Sequence, residues 1–265
     1  MISYSDIAFG LQRLNIARSI PVIVHASLSA FGEVRGGASS IVGSLLSTFD
    51  KIILPTFTYQ TMIIPEIGPP DNGIEYGTGK EQNQKAEFFL PDLPVDRRIG
   101  VVAETFRVST GARRTLHPIL SFAGINVDPC LNSQTLADPL SPIGYIANEG
   151  GYVLLLGVDH RSNTSIHYAE RVSDRKQFVR WALTPAGVKT CPRFPGCSER
   201  FNEIIPEIRT FYLRVQVGKT WIQAIPLRAM INSVQRMISR DPFILLCNRD
   251  NCQRCKAVKS QVLSS

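Results

Sequence analysis

A three-layer α/β fold with a central, largely parallel or mixed sheet is what this 265-residue sequence predicts. Three observations carry that prediction. Val22-Ile23-Val24 and Ile52-Ile53-Leu54 are continuous apolar runs separated by a helix-length segment. GYVLLLGV, residues 151–158, is a third such run. Unbroken apolar strands of this kind belong to sheets covered on both faces, and strand–helix–strand order makes them parallel. Residues 175–226 add alternating pieces, FVRWAL, TFYLRVQV and TWIQAIP, whose pattern reads as a small appended antiparallel region.

In chain order, Ser5–Leu14 is predicted as a short helix. Val22 to Val24 form a buried strand, and Ala26 to Gly37 a Ser/Gly-rich loop. Ala38–Phe49 is predicted as a helix, with Ile41, Val42, Leu45, Leu46 and Phe49 at helical spacing. Ile52 to Leu54 form the next strand, which Pro55 ends. Residues 58–96, with Pro65, Pro69, Pro70, Asp71-Asn72-Gly73, Pro91 and Pro94, are expected to be irregular, and a stretch that long is usually disordered or functional. Arg98–Val108 reads as a helix, Leu120–Ile125 as a strand, Leu140–Asn148 as a short helix and Gly151–Val158 as a strand. IHYAERV begins a helix after the polar turn DHRSNTS. Ala229–Arg240 closes the helical pattern, and FILLC is a last apolar segment. The chain is expected to form one domain, 1–265, with an irregular substrate-side insertion at 58–96 and the antiparallel region within 175–226.

Hydrophobic residues are 44% and charged residues 19%, enough to bury a sizeable core. Lys and Arg number 29 against 22 Asp and Glu, a formal charge of +7. That favours an anionic partner without naming one. Basic runs with interleaved aromatics are missing, as are zinc-finger and helix-turn-helix spacings, so nucleic acid is not expected as the partner. The apolar runs are too short to span a membrane. Asp6, Arg13 and Arg18 interrupt the N-terminal region where a signal peptide would be apolar. A cytoplasmic protein with reduced thiols is the expectation.

Two segments are suited to chemistry. The loop HASLSAFGEVRGG leaves a buried strand and enters a helix, a place where backbone N–H groups face an anion. It is neither GxGxxG nor a P-loop. A plain polar strand–helix turn is the competing reading. The second segment, GVDHRSNTSIHYAE, follows a strand's C-terminal end, where ligands bind in α/β sheets. Asn163 or Thr164 can cap its helix, and His167 and Glu170 then share one face at i and i+3. A carboxylate beside an imidazole orients it and favours its protonated form, which suits a general base. A core or surface histidine is the alternative. The HxxE spacing is not the HExxH of metalloproteases, and GxSxG does not occur. His117 faces either the same cleft or a turn. Cys197, Cys247, Cys252 and Cys255 could hold a structural zinc, but their irregular spacing favours ordinary reduced thiols, so no metal is assigned.

Several blocks, in order along nearly the whole chain, resemble the aminoglycoside 3-N-acetyltransferase family: VHASLSAFGEVRGG (24–37), LPTFTY (54–59), IGVVAETFR (99–107), RRTLHP (113–118), LLLGVDHRSNTSIHYAE (154–170) and GCSERF (196–201). The resemblance implies a fold distinct from the GNAT acetyltransferases. It implies transfer of acetyl from acetyl-CoA to the 3-amino group of a 2-deoxystreptamine aminoglycoside. The family's base–carboxylate pair maps onto His167 and Glu170, the expected catalytic pair. Its coenzyme loop maps onto His25, Ala26, Ser27, Leu28 and Ser29, with Arg35, Gly36 and Gly37 completing the cofactor-binding set; Ala26 stands where the family usually has serine. Direct attack by the amine needs no covalent enzyme intermediate, which agrees with the missing nucleophile elbow. Aminoglycosides are polycations, so a +7 chain is expected to make its cleft locally acidic. Asp71, Glu75, Glu104, Asp159 and Glu170 are available for that, with His117, Asn163 and Thr164 as further substrate-side candidates. If those carboxylates fail to line the cleft, a relative acting on some other amine is the alternative. A non-enzymatic anion- or nucleic-acid-binding module is the alternative from another class. The small-molecule partner is expected to be an aminoglycoside or related polyamine, and the assembly a monomer or homodimer.

Overall fold

The computed structural model describes residues 1–109 and 111–264. Helix α1 (Tyr4–Gln12) starts at a capping box: the Ser3 side chain accepts from the Asp6 N–H, and the Asp6 carboxylate accepts from the Ser3 N–H at 2.8 Å. Strand β1 (Val22–Ala26), helix α2 (Gly37–Thr48) and strand β2 (Ile52–Pro55) follow as expected. Then come β3 (Met62–Ile63), α3 (Lys80–Gln84), α4 (Val101–Arg107), β4 (Arg113–Arg114), β5 (Phe122–Ile125), α5 (Asp128–Asn132), α6 (Ser141–Asn148) and β6 (Tyr152–Leu156). The remaining elements are α7 (Thr164–Arg171), β7 (Phe178–Thr184), β8 (Gly187–Phe194), α8 (Ile205–Ile208), β9 (Leu213–Val217), β10 (Thr220–Pro226), α9 (Leu227–Arg240) and α10 (Gln253–Ser264).

A seven-stranded mixed sheet runs in the order β4-β5-β2-β1-β6-β10-β9. Its centre is parallel: Val22 pairs with Ile52 on one side and with Tyr152 on the other. β5 and β10 join antiparallel outside this trio. The continuous apolar runs now have their cause. Val22 and Val24 of β1, with Leu154 and Leu156 of β6, pack under Ile7, Leu11, Ile41, Leu45 and Phe106 from α1, α2 and α4. Ile23, Val153 and Leu155 point the other way, into Ile143, Ile146, Ile166, Met230 and Val234 from α6, α7 and α9. Each strand therefore buries both faces, and every residue of the run must be apolar.

The second sheet has three antiparallel strands, β3-β7-β8. A small appended antiparallel region is present as expected, but its membership differs from the expectation for residues 175–226. FVRWAL belongs to the small sheet, with Met62 and Ile63 as its third strand. TFYLRVQV and TWIQAIP instead extend the main sheet as β9 and β10. Alternation gives the antiparallel habit of a strand but not which neighbour it joins. Residues 58–96 are mostly irregular, apart from the 3₁₀ turn Tyr59–Thr61, β3 and α3. No helix among the described residues is long and apolar enough to cross a membrane.

Candidate active site

Three parallel strands, β2, β1 and β6, end on the same side of the sheet, and a cleft of about 1130 Å³ opens there. Ligand pockets commonly hold about 300–1,000 Å³, so the space suits a large ligand or two together. Its floor is the strand ends, including His25, Ala26, Leu54 and Pro55. One wall is the loop Ser27–Ser29 and the turn into α4; the opposite wall is α7 with the small sheet and Arg254 of α10.

His167 lines this cleft and is 8% exposed. Asn163 caps its helix, its side chain accepting from the Ser165 N–H at 3.1 Å. One turn on, Glu170 meets the ring: His167 Nδ1 lies 2.7 Å from Glu170 Oε2. Glu170 is buried at 2% exposure, and its other oxygen accepts from Arg175 Nη1 at 2.8 Å. Arg175 is itself buried and also donates to the Pro242 carbonyl. The Phe201 ring packs edge-on against the imidazole, centroids 4.6 Å apart. The imidazole is thus held by its Nδ1 side, which leaves Nε2 to act on a ligand. Arg175 was missed in the sequence. The turn between α7 and β7 brings it back onto Glu170, and no spacing rule signals that.

The loop expected to hold the coenzyme divides. His25, Ala26, Ser27, Leu28 and Ser29 all line the cleft. Ser27 and Ser29 hydroxyls are 3.0 Å apart. Leu28 and Ser29 lead into a 3₁₀ turn, and their N–H groups have no partner among the described residues, as expected at a helix start. His25 Nε2 is buried and without a hydrogen bond. Burial lowers the His25 pKa to about 3, so the ring is neutral. These free donors at the strand end fit the amide and thioester oxygens of a pantetheine arm. Arg35, Gly36 and Gly37 do not line the cleft. Gly36 has φ +80° and opens α2, and a Cβ there would meet Ser40 Oγ at 2.5 Å. Its glycine serves the backbone turn, which corrects the expected ligand contact.

The substrate-side set is corrected more deeply. Thr164 lines the cleft, but Asp71, Glu75, Glu104, His117, Asp159 and Asn163 do not. Asp71 and Glu75 are exposed, although Gly73 and Ile74 between them reach the wall. Glu104 ion-pairs with Arg107 at 2.7 Å and accepts from the Val95 N–H, tying the 58–96 segment to α4. His117 is a turn residue: Nδ1 accepts from the N–H groups of Ile119 and Leu120. Asp159 caps a 3₁₀ turn and pairs with Arg161 at 2.9 Å. Asn163 spends its side chain on the α7 cap.

The walls instead carry Arg97, Arg98, Arg161, Arg180 and Arg254, and no aspartate or glutamate among the described lining residues. Arg180 is 6% exposed, sits over the Phe194 ring at 4.9 Å and donates only to backbone carbonyls. Burial lowers its pKa to about 10, still a cation at neutral pH. Arg254 donates to the Gly196 carbonyl at 2.7 Å. Neither has a carboxylate partner among the described residues. The expected acidic cleft is therefore not what the fold builds.

The sequence pattern that defines the aminoglycoside 3-N-acetyltransferase family matches residues 23–239. Aminoglycoside N(3)-acetyltransferase III from Salmonella sp is 30% identical over 195 residues, 67% of this chain and 64% of that protein; the chain thus spans just under two thirds of this relative's length. Among solved structures, the apoenzyme of aminoglycoside acetyltransferase AAC(3)-IVa superposes with TM-score 0.79 at 22% identity, over 98% of this chain and 97% of its own. The binary complex of AAC-IIIb with CoASH superposes with TM-score 0.70 at 20% identity, over 90% and 97%. With a match across most of its length, and with His167 and the 25–29 loop meeting at the ends of its parallel strands, the chain belongs to the aminoglycoside 3-N-acetyltransferase family.

Proposed function

We propose that the protein transfers acetyl from acetyl-CoA directly to an amine, with His167 as general base. The observation that carries this is the buried relay His167–Glu170–Arg175 ending in a cleft large enough for two ligands. Bound acetyl-CoA supplies an activated thioester; everything else falls to the chain. His167 Nε2 takes the proton from the attacking nitrogen as the C–N bond forms; the resulting oxyanion then collapses, the C–S bond breaks, and the imidazolium returns the proton to the departing thiolate sulfur. The carboxylate of Glu170 stabilises the imidazolium so formed, and Arg175 holds that carboxylate in place through its 2.8 Å ion pair. The free N–H groups of Leu28 and Ser29 are the oxyanion donors. Loop 25–29 holds the coenzyme arm, and the 58–96 segment is the substrate-side insertion, a reading supported by Tyr59, Met62, Gly73 and Ile74 on the cleft wall.

For the acceptor, the relatives' names point to the 3-amino group of an aminoglycoside. The arginine-lined wall favours a second reading, in which the amine belongs to a non-antibiotic acceptor bearing a carboxylate or phosphate. Arg180 supports it most: a buried cation without a carboxylate partner is costly until an anion arrives. A thiol-release assay with acetyl-CoA decides, using a panel of 2-deoxystreptamine aminoglycosides beside amino-sugar phosphates and amino acids. Turnover on the aminoglycosides supports the first acceptor, and turnover on the acidic amines alone supports the second. Absence of coenzyme binding in calorimetry overturns the transferase reading altogether.

A further inference from the structure

The four thiols of Cys197, Cys247, Cys252 and Cys255 converge, their sulfurs all within 4.8 Å of one another. We infer that they form a closed, four-thiolate structural zinc site that clamps the chain's last helix to the wall of the cleft. Tetrahedral zinc with bonds of about 2.3 Å sets its sulfurs about 3.8 Å apart, inside the 4.8 Å that bounds the cluster. Three of the cysteines are buried and Cys252 is half-buried.

A second observation singles this cluster out from chance proximity. The backbone N–H of Cys247 donates to Cys255 Sγ at 3.3 Å, and the Arg249 side chain donates to Cys197 Sγ. Such outer donors orient and stabilise thiolates around a metal, whereas neutral thiols gain little from them. Four thiolates around Zn²⁺ leave a net double negative charge. Arg249 answers it, with Nη2 3.6 Å from Cys197 Sγ, and Lys259 Nζ lies 3.1 Å from the Cys247 carbonyl. Cys130 and Cys191 are buried too, but lie outside the cluster.

The sequence obscured the site because the ligands come from three places. Cys197 follows the small sheet, Cys247 ends the FILLC segment, and Cys252-x-x-Cys255 opens α10. Arg254 lies inside the Cys-x-x-Cys step and reaches the cleft wall beside Gly196, adjacent to the first ligand. Metal binding would therefore fix the position of a cleft arginine without touching the reaction. All four ligand positions are filled by protein, so none remains for a substrate. Binding displaces the thiol protons to solvent, with no redox step.

Elemental analysis of the full chain, purified without a metal-binding tag, should find about one zinc per molecule. Co²⁺ added to chelator-stripped protein should give the intense thiolate charge-transfer and tetrahedral d–d bands. The Cys252→Ser/Cys255→Ser double variant, with two of four ligands gone, should lose metal occupancy by about tenfold or more and unfold at lower temperature. The Cys130→Ser/Cys191→Ser variant removes as many thiols and should keep its zinc. A metal-free chain that gives no cobalt bands overturns the assignment. So does an intact mass showing a disulfide among the four, or equal zinc loss in both double variants.

Discussion

At the scale of the residue, the four histidines separate by their surroundings. Burial lowers His25 to about 3 and His117 and His160 to about 4, and none of these rings is hydrogen-bonded to a carboxylate. Among the described residues, only His167 has one. His167→Ala is expected to lower kcat by about 10²–10⁴-fold while calorimetric coenzyme affinity holds; near-normal turnover at pH 7 would remove it as base. Arg175 makes a separate prediction. Its side chain and that of Glu170 are 4% and 3% exposed, so Arg175→Met strands a buried carboxylate. Breaking such a pair costs about 3–5 kcal/mol. Glu170→Gln combined with Arg175→Met should recover much of that stability, since both charges go, yet leave turnover low because the imidazolium loses its partner. Recovery of turnover along with stability would reduce Glu170 to a packing residue.

At the scale of the element, His167 is aimed by how α7 lies on its neighbours. Gly144 of α6 makes room for the ring of Tyr168: a Cβ there would fall 2.1 Å from the tyrosine oxygen. Gly144→Ala should push α7 outward, costing about 1–3 kcal/mol as overpacking does. Turnover should fall with it, and Gly144→Ala combined with Tyr168→Phe should restore part of both; an unchanged melting curve in the single variant would count against this contact. Gly36→Val belongs at the same scale. It should destabilise the entry to α2, by about 1–3 kcal/mol for a branched residue at positive φ, with coenzyme affinity of the folded fraction intact. These two glycines show what the sequence carries and what it withholds. The strand runs at 22–24, 52–54 and 151–158 are legible because burial of both faces writes itself into every residue. His167 and Glu170 are legible because helical spacing alone brings them together. The Arg175 contact, the joining of β9 and β10 to the main sheet, and the failure of Asp71, Glu75, Glu104 and Asp159 to reach the cleft all depend on where loops return. Those are long-range matters, and no local periodicity encodes them. The C-terminal helix α10 was hidden for a related reason: it buries only Cys255, Ala257 and Val258, too short a stripe to read as a helix.

At the scale of the whole molecule, the three neutral histidines tie the fold's stability to pH. His25 lies next to the end of the central strand, His117 in the turn before β5, and His160 opens the 3₁₀ turn before α7, and all three are buried in the sheet-and-helix frame. His117 shows why protonation is resisted: burial disfavours the charged ring, and its Nδ1 already accepts two backbone N–H bonds. An unfolded chain protonates these rings near 6.5, whereas the folded chain does so only at about 4 or below. Between those values the unfolded state binds more protons, so stability rises with pH there. The contribution is fully present above about 6.5 and is lost as pH falls towards about 4. Each ring adds a slope of about 1.4 kcal/mol per pH unit within that window, so three together weigh heavily against a typical total of about 5–15 kcal/mol. Urea midpoints should therefore drop steeply from pH 7.5 to pH 5. His117→Asn, whose amide oxygen can accept the same backbone donors, should flatten the slope by about one third of the histidine contribution, because it removes one of three titrating groups. A midpoint that stays constant from pH 7.5 to 5, or a His117→Asn slope equal to that of the parent chain, would show that these rings protonate in the folded protein and that burial does not hold them neutral.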